Sequence, residues 1–324
     1  MKSDSAAQKA RKVRLAQPGD LPQLESLRKQ RRDPESLLQS SEAASESAIS
    51  RLREYFAQRE ELADWQLLVL LEGEEVRAYL LFAVDHEHGI THQLQAVTLD
   101  YAITSFEQLD ALSQRARKVV AAFENEYLVV DIAAADKRRQ LWFYRCGFRP
   151  EQQRVVKQIP AGHRGASTPA FAIRPAVQSD LPFILEVHAH NAKAYLPAGR
   201  EVDREAVEAR FHVTYLMLDL EGEEGAHYLL MEERSSGIPA GYIFLRPGQG
   251  PNSLYVYDIA ISAAFANRGL SRYLTGAAET LASELGVTLY GDGTLAVSSL
   301  VNWHAQVGLT VDSYLYALDC REGG

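Results

Sequence analysis

The chain has 324 residues, a formal net charge of −9 and only two cysteines. This length suits two domains better than one core, because domains cluster near about 100–150 residues. The acidic balance argues against a nucleic-acid partner, which needs a basic surface to neutralise phosphate. Apolar stretches such as Leu67–Leu71 are too short to cross a bilayer, so we expect no membrane partner. Two cysteines make no disulfide framework, which predicts a protein of the reducing cytoplasm.

An internal repeat divides the sequence. The segment Val13–Pro22 (VRLAQPGDLP) recurs as Ile173–Pro182 (IRPAVQSDLP), and Arg145–Phe148 recurs in weaker form as Gln306–Leu309. Each copy of the first motif predicts a short strand and a turn, followed by an aspartate that caps a helix with proline just inside it. Two matches so far apart, at nearly one spacing, indicate a duplicated domain.

The repeat and the composition together predict the domain boundaries. Residues 1–12 are polar and form a predicted flexible tail. The first domain is predicted over 13–157 and the second over 171–320. Between them, 158–170 is rich in Gly, Pro, Ser and Thr, as linkers are.

Both halves are predicted to contain the same elements in the same order. Each begins with a strand, then has two helical stretches, a hairpin, a further strand and a long amphipathic helix, and closes with a strand, a helix and a strand. In the first half the two helical stretches, the two hairpin strands, the further strand and the long helix fall in that order at Leu21–Lys29, Ser41–Arg59, Trp65–Leu71, Val76–Val84, Gln95–Ile103 and Phe106–Phe123. In the second half they fall at Leu181–Ala194, Arg204–Leu216, His227–Glu233, Ile238–Leu245, Ser253–Ile261 and Leu270–Leu285. The pattern predicts an α/β fold in which each domain has a mixed, largely antiparallel sheet flanked by helices.

One loop in the second half is a candidate phosphate site. The strand Leu254–Ile261 runs into a turn of small residues, and a helix starts directly after Gly269. Free backbone N–H groups at such a helix start attract a pyrophosphate. Gly269 would let the ligand approach the backbone, and Arg268 would add a positive charge. An ordinary helix start with one glycine is the alternative interpretation.

The strand and loop resemble the acetyl-CoA loop of the GNAT superfamily of N-acetyltransferases. The family pattern Gln/Arg-x-x-Gly-x-Gly/Ala falls on residues 266–271, where the central Gly269 matches but Ala266 and Ser271 depart from it. The resemblance covers the whole second half and implies acetyl-CoA as cosubstrate. It implies that these residues bind the cosubstrate: Ile259, Ala260, Ile261, Ala266, Asn267, Arg268, Gly269, Leu270, Ser271 and Arg272.

The first half resembles the same family in its closing segment, Asp131–Phe148, which ends in Gly-Phe. Its loop at Ala102–Asp110 differs, because it has no glycine and carries Glu107 and Asp110. Acidic side chains repel a pyrophosphate, so we predict a degenerate domain that kept the fold and lost the cosubstrate.

The resemblance also implies catalytic residues. The family often has a tyrosine four residues before the glycine that ends its last helix, where it protonates the leaving thiolate; here that position is His304, and Phe143 in the first half. Imidazole titrates near pH ~6.5 and could donate a proton; a half-buried or surface histidine without a chemical role is the alternative interpretation. Asp258 matches an acid of the family that could act as base, or it could serve in structural hydrogen bonding. Tyr257 is a further candidate and could instead line the acceptor cleft.

Other patterns carry no predicted chemistry. No spacing typical of metal ligands is present, since His188 and His190 diverge on a helix. The segments Gly248–Gly250 and Gly291–Gly293 are predicted to be turns.

The sequence therefore predicts transfer of an acetyl group from acetyl-CoA to the amine of a small molecule or peptide. The alternative is a non-catalytic CoA-binding or regulatory module, which the departures at Ala266, Ser271 and His304 favour. A weaker third interpretation is a nucleotide-binding protein that uses the same loop.

Overall fold

The computed structural model describes residues 11–31, 41–88, 91, 93–191, 196–222, 224–248 and 252–321. The chain forms two compact units. The first comprises the residues up to Pro150 together with those from Leu315 onward, and the second comprises Glu151–Tyr314.

The first unit has strand order β1-β2-β3-β4-β5-β12, with β4 and β5 parallel and the pairs β1–β2, β2–β3 and β3–β4 antiparallel. Its elements are β1 (Arg11–Leu15), α1 (Leu21–Gln30), α2 (Ser41–Ala57), β2 (Trp65–Glu72), β3 (Glu75–Glu87), β4 (Leu94–Ala102), α3 (Phe106–Ala122), β5 (Tyr127–Ala133), α4 (Lys137–Arg145) and the end of β12 (Thr310–Asp319).

The second unit has strand order β6-β11-β10-β9-β8-β7, with β10 and β11 parallel and the other pairs antiparallel. Its elements are β6 (Arg149–Lys157), β7 (Phe171–Pro175), α5 (Leu181–Asn191), α6 (Arg204–Leu216), β8 (His227–Glu233), β9 (Pro239–Pro247), β10 (Ser253–Ile261), α7 (Ser271–Leu285), β11 (Thr288–Thr294) and α8 (Ser298–Gln306). The predicted fold class, a mixed and largely antiparallel sheet flanked by helices in each half, is confirmed.

Helices cover both faces of the sheet in the second unit. On one face Leu274 and Ala278 of α7 pack against Ile243 and Leu254 in one buried cluster. On the other face a second cluster joins residues of α5, α6, β8 and β9. Alternating side chains of the central strands supply both clusters, as expected for strands that are buried on two sides.

Most elements lie where the sequence predicts them, and two predictions are wrong. Gly291–Gly293 is part of β11 rather than a turn, and Gly293 lies opposite Gln153 of β6. Gly293 lets the His304 ring approach the strand closely, because a Cβ at Gly293 would lie 2.4 Å from that ring. The predicted tail also ends too late, since Arg11 already pairs with Glu72 in β1; the rest of the predicted tail lies outside the described residues.

The compact units do not divide the chain at the predicted linker. Strand β6 precedes the linker but pairs with β11 of the second unit, from Leu289↔Lys157 to Thr294↔Gln152. Conversely, Ala317 near the chain end packs with Tyr127 and Val129 of the first unit. The last strand of each sequence half therefore completes the unit that the other half begins.

Candidate functional site

The second unit contains a cleft between its two parallel strands. Strands β10 and β11 pair only from Ser253↔Thr288 to Val256↔Gly291 and diverge beyond that point. A β-bulge between Val256 and Asp258 bends β10 there. Most residues that line the resulting cavity belong to β10, β11, α7 and α8. The full lining is Val155, Ile243, Val256, Tyr257, Asp258, Ile259, Thr275, Leu289, Gly291, Asp292, Leu300, Trp303, His304 and Leu309.

The second half of β10 presents backbone donors to this cleft. The amide of Ser262 donates to Ala240 O of β9 at 2.9 Å. Because the direction of backbone groups alternates along a strand, the amide of Ala260 faces β9, and those of Ile259 and Ile261 face the opposite edge. At that edge β11 has already diverged, so the strand can accept an extended ligand.

The loop after β10 leads into the start of α7. A short 3₁₀ turn at Ala263–Phe265 is followed by Asn267 and Gly269, both with positive φ, at 61° and 67°. A Cβ built on Gly269 would meet nothing within 4 Å, so the backbone there borders open space. In the first turn of α7 the amide of Tyr273 donates to Leu270 O at 2.9 Å, and the exposed amides before it give this end of the helix a partial positive charge.

Buried side chains hold the loop in place. Phe265 and Leu270 are buried in the core cluster beneath α7. Arg268 is folded back onto the loop: its Nη2 donates to Ala264 O at 3.0 Å, and its guanidinium lies 4.8 Å from the Phe265 ring. The predicted cosubstrate residues from Ala266 to Arg272 therefore form an anchored loop and helix start, in which Leu270 is buried and the residues before it are exposed. Its cation Arg268 packs on the backbone of the loop.

His304 lies on α8 at the cavity and is only 5% exposed. Its Nδ1 lies 2.9 Å from Nε2 of Gln153, and the Cε1 edge of its ring lies against Gly293. Burial lowers the pKa of His304 to about 4, with Asp292 opposing the shift. The neutral form of the ring therefore dominates at pH 7, which departs from the titration near pH ~6.5 expected from the sequence.

Asp258 lies in a buried hydrogen-bond cluster on the α5–α6 side of the sheet. Its Oδ2 accepts from the hydroxyls of Tyr215 and Tyr242, the latter at 2.7 Å, and lies 3.2 Å from His188 Nδ1. Burial raises the pKa of Asp258, and His188 opposes that shift. The carboxylate is thus engaged by three groups and turned toward the helices.

Tyr257 is the bulged residue of β10 and lines the cavity. Its ring lies under the guanidinium of Arg246, 4.2 Å from the ring centroid. The ring centroids of Tyr255 and Tyr290 lie 4.9 Å apart on the neighbouring strands. The bulge therefore brings the candidate pair Tyr257 and Asp258 to the mouth of the splayed strands, with different surroundings for each.

The corresponding region of the first unit contains an aromatic contact between Tyr101 and Phe143. Strands β4 and β5 also pair only briefly, from Gln95↔Tyr127 to Val97↔Val129. Beyond the pairing, Tyr101 is buried edge-on against Phe143, with 5.6 Å between ring centroids. Phe143 occupies the position that corresponds to His304 in the repeat, so an aromatic contact replaces the cavity and its polar group.

Side chains of the first unit also occupy the helix start that would bind phosphate. The amide of Thr104 donates to Gln108 Oε1 at 2.8 Å, and the amide of Gln108 donates to Ser105 Oγ at 3.3 Å. Glu107 adds a negative charge in the first turn of α3. The two side chains satisfy backbone amides at this helix start, and the charge of Glu107 would repel a phosphate.

Sequence reasoning missed several residues of the cleft. Gln153 lies on a strand before the linker, and Asp292 and Gly293 lie in the segment mistaken for a turn. Trp303 lines the cavity beside His304, and only its place on the last helix pointed to it. For Gln153 the sequence holds no signal, because its contact joins two different halves of the repeat.

Comparison with known proteins gives the fold. No family model and no curated protein matches the sequence. A tandem GNAT protein from the clavulanic acid biosynthesis pathway is similar in structure, with a TM-score of 0.50 and 11% identity over 97% of this chain and 100% of that one. A GCN5-related N-acetyltransferase from Sphaerobacter thermophilus has a TM-score of 0.54 and 16% identity, over 97% of each chain. The chain has the tandem GNAT fold.

The described residues contain neither a membrane-spanning helix nor a cluster of metal ligands. They contain no helix long and apolar enough to cross a membrane. Over the same part of the chain, no three His, Cys, Asp or Glu side chains gather in a way that could hold a metal ion.

Proposed function

We propose that the second unit of this GNAT-fold chain transfers an acetyl group from acetyl-CoA to a small-molecule or peptide amine in the cytoplasm. The observation that carries the proposal is the cleft between β10 and β11, which His304 lines, together with the open glycine loop that follows β10 at the start of α7. A splayed strand edge and a free helix start are together what a long ligand with a pyrophosphate requires.

The residues of the cleft fit the parts of CoA. The loop amides beside Gly269 would hold the pyrophosphate, and Gly269 leaves room for it. The amides of Ile259 and Ile261 would pair with the pantetheine arm as an added strand would. Ala266 supplies no side chain for the phosphates, so the backbone and the helix start would supply most of the binding.

The reaction forms a C–N bond and breaks the C–S bond of the thioester. The amine gives up one proton and the departing thiolate takes up one, so an amide and a thiol are the products. Neutral His304 can hydrogen-bond to the sulfur as negative charge develops there. The carboxylate of Asp258 already accepts two tyrosine hydroxyls, and in this proposal it positions the bulged strand instead of acting as the base.

A specific observation also favours the alternative, a CoA-binding module without catalysis. The usual proton donor of the family is replaced by a histidine whose pKa is lowered to about 4, so its acidic form is scarce at neutral pH. The alternative requires CoA binding without turnover on any amine, which separates it from the enzyme.

Calorimetry with CoA tests the loop, because Gly269 and Gly286 form a matched pair at opposite ends of α7. Both have positive φ, 67° and 68°, and a Cβ at either would meet nothing within 4 Å. We expect Gly269→Glu to abolish CoA binding by placing a carboxylate at the pyrophosphate, while Gly286→Glu leaves it unchanged. Equal affinity in both variants would remove the loop assignment.

Two further measurements separate the remaining functions. ADP binding as tight as CoA binding would favour the nucleotide-binding interpretation. Thiol release from acetyl-CoA, measured with a panel of polyamines, amino sugars, amino acids and peptides, should identify an acceptor. If CoA binds but no amine releases thiol, the non-catalytic module is correct.

A further inference from the structure

We propose that Gln153 is a positioning residue for acyl transfer: its side-chain amide donates to Nδ1 of His304 and holds the single ring proton on Nε2, toward the cleft. The chemical role of that proton depends on the proposed function. The position of the proton does not, since it is a property of the folded chain.

The contact between Gln153 and His304 is short and enclosed. The two nitrogens are 2.9 Å apart, and the residues are only 2% and 5% exposed. Gly293 lies against the Cε1 edge of the ring, between its two nitrogens. Within the part of the chain that the structure describes, this is the one hydrogen bond that the imidazole ring of His304 makes, so nothing competes with Gln153 in orienting the ring.

Elementary chemistry then fixes the tautomer. A neutral imidazole has one N–H and one bare nitrogen, and an amide N–H can donate only to the bare one. With Nδ1 accepting, the proton is on Nε2. A fixed neutral donor stabilises charge that develops on sulfur without prior protonation, as preorganised donors do in other acyl transfers.

The charged groups around the ring agree with a neutral histidine. Asp292 of β11 acts on the ring only through its charge, and Arg154 of β6 pairs with its carboxylate at 3.0 Å. From β10, Tyr257 and Asp258 line the cavity, and Asp258 is engaged by its tyrosines and His188. No uncompensated carboxylate among these groups would hold the ring in its charged form.

The proposal adds a consequence for the organisation of the site. Gln153 lies on β6, before the linker, and pairs into the second unit through β11. The catalytic cleft therefore depends on a side chain outside the predicted second domain, 171–320.

Nitrogen-15 NMR of the full chain, labelled at histidine, tests the tautomer directly. The signal of His304 is identified by its loss in His304→Gln. We expect a protonated Nε2 and a bare Nδ1, with no change between pH 8 and 5.5, because the pKa lies near 4. A proton on Nδ1, or titration near pH ~6.5, would overturn the proposal.

Gln153→Glu is the sharpest variant, because a carboxylate can only accept. It should move the ring proton to Nδ1 and bring the titration of His304 into the neutral range. Gln152→Glu is the matched control: it adds the same charge on the same strand, but neighbouring strand residues face opposite sides of the sheet. If both variants leave the His304 signals unchanged, Gln153 does not position the ring.

Kinetics separate positioning from packing. Gln153→Met keeps the size and removes the donor, and we expect kcat to fall about 10-fold with an unchanged KM for acetyl-CoA. An altered tautomer with unchanged kcat would sink the catalytic role of Gln153. If the wild type transfers no acetyl group while the NMR shows the Nε2 proton, the proposed function fails and the tautomer assignment stands.

Discussion

At the scale of single residues, the two units keep a similar buried arrangement with different partners. In the second unit Tyr242 donates to Asp258, which faces His188. In the first unit Tyr79 donates to Asp100, which lies 3.3 Å from Arg28. The same strand positions thus carry a buried acid in both units, which indicates that the acid serves the fold as well as any chemistry.

Gly293 offers a residue-scale prediction about the cavity. A Cβ there would lie 2.4 Å from the His304 ring, whereas a Cβ at Gly291 on the same strand would make ordinary contact with Val256 at 3.5 Å. We expect Gly293→Ala to lower the free energy of unfolding by about 1–3 kcal/mol and to shift the ring. Chemical denaturation should find Gly291→Ala close to wild type, and equal losses in the two variants would contradict the prediction.

At the scale of elements, the repeat preserves the first turn of each unit. Arg14 pairs with Asp20 and Arg174 pairs with Asp180, and each aspartate also accepts the backbone amide three residues before it. The divergence is concentrated after the fourth and tenth strands. There α3 is capped by its own side chains, while α7 begins behind an open glycine.

This divergence predicts one CoA site per chain. In the first unit Tyr101 packs against Phe143 beyond the strand pairing, and side chains occupy the amides of Thr104 and Gln108, so we expect neither pantetheine nor pyrophosphate to bind there. Titration calorimetry should give a stoichiometry of one, and Gly269→Glu should remove all of the binding. A stoichiometry of two, or residual binding in that variant, would show that the first unit binds as well.

At the scale of the whole molecule, the linker does not divide the chain into two independent domains, because the strand before it belongs to the second unit. Strand β6 supplies Gln153 to the cleft, and its Glu151 forms a buried ion pair with Arg200 at 2.7 Å. Lys157, at the end of the same strand, pairs with Glu279 of α7 at 2.6 Å. The linker itself is attached, since the amide of Gly165 donates to Thr280 Oγ1 at 3.0 Å.

Two fragments test this organisation. A chain that starts at Gln158 lacks β6, so it should expose the edge of β11, lose the buried ion pair between Glu151 and Arg200 and fail to unfold cooperatively. A chain that starts at Arg149 and has the same end retains β6, and it should melt cooperatively and bind CoA. Equal behaviour of the two fragments in thermal unfolding would show that β6 is dispensable.

The sequence by itself determined much of this protein. The repeat of Val13–Pro22 predicted two similar halves, and periodicity placed elements such as β10 and α7 within a residue or two. The loop and helix start at Gly269 were also predictable, because turns and helix starts are specified by residues that are neighbours in the sequence.

Only the tertiary structure decided which strands complete each unit and what surrounds the site. The contact of Gln153 with His304, the enclosure of Asp258 by two tyrosines, and the plug formed by Tyr101 all join residues far apart in the chain. Strand pairing between distant segments has no local sequence pattern that specifies the partner. The pKa of His304 follows from burial, which depends on the packed neighbours rather than on the residue type.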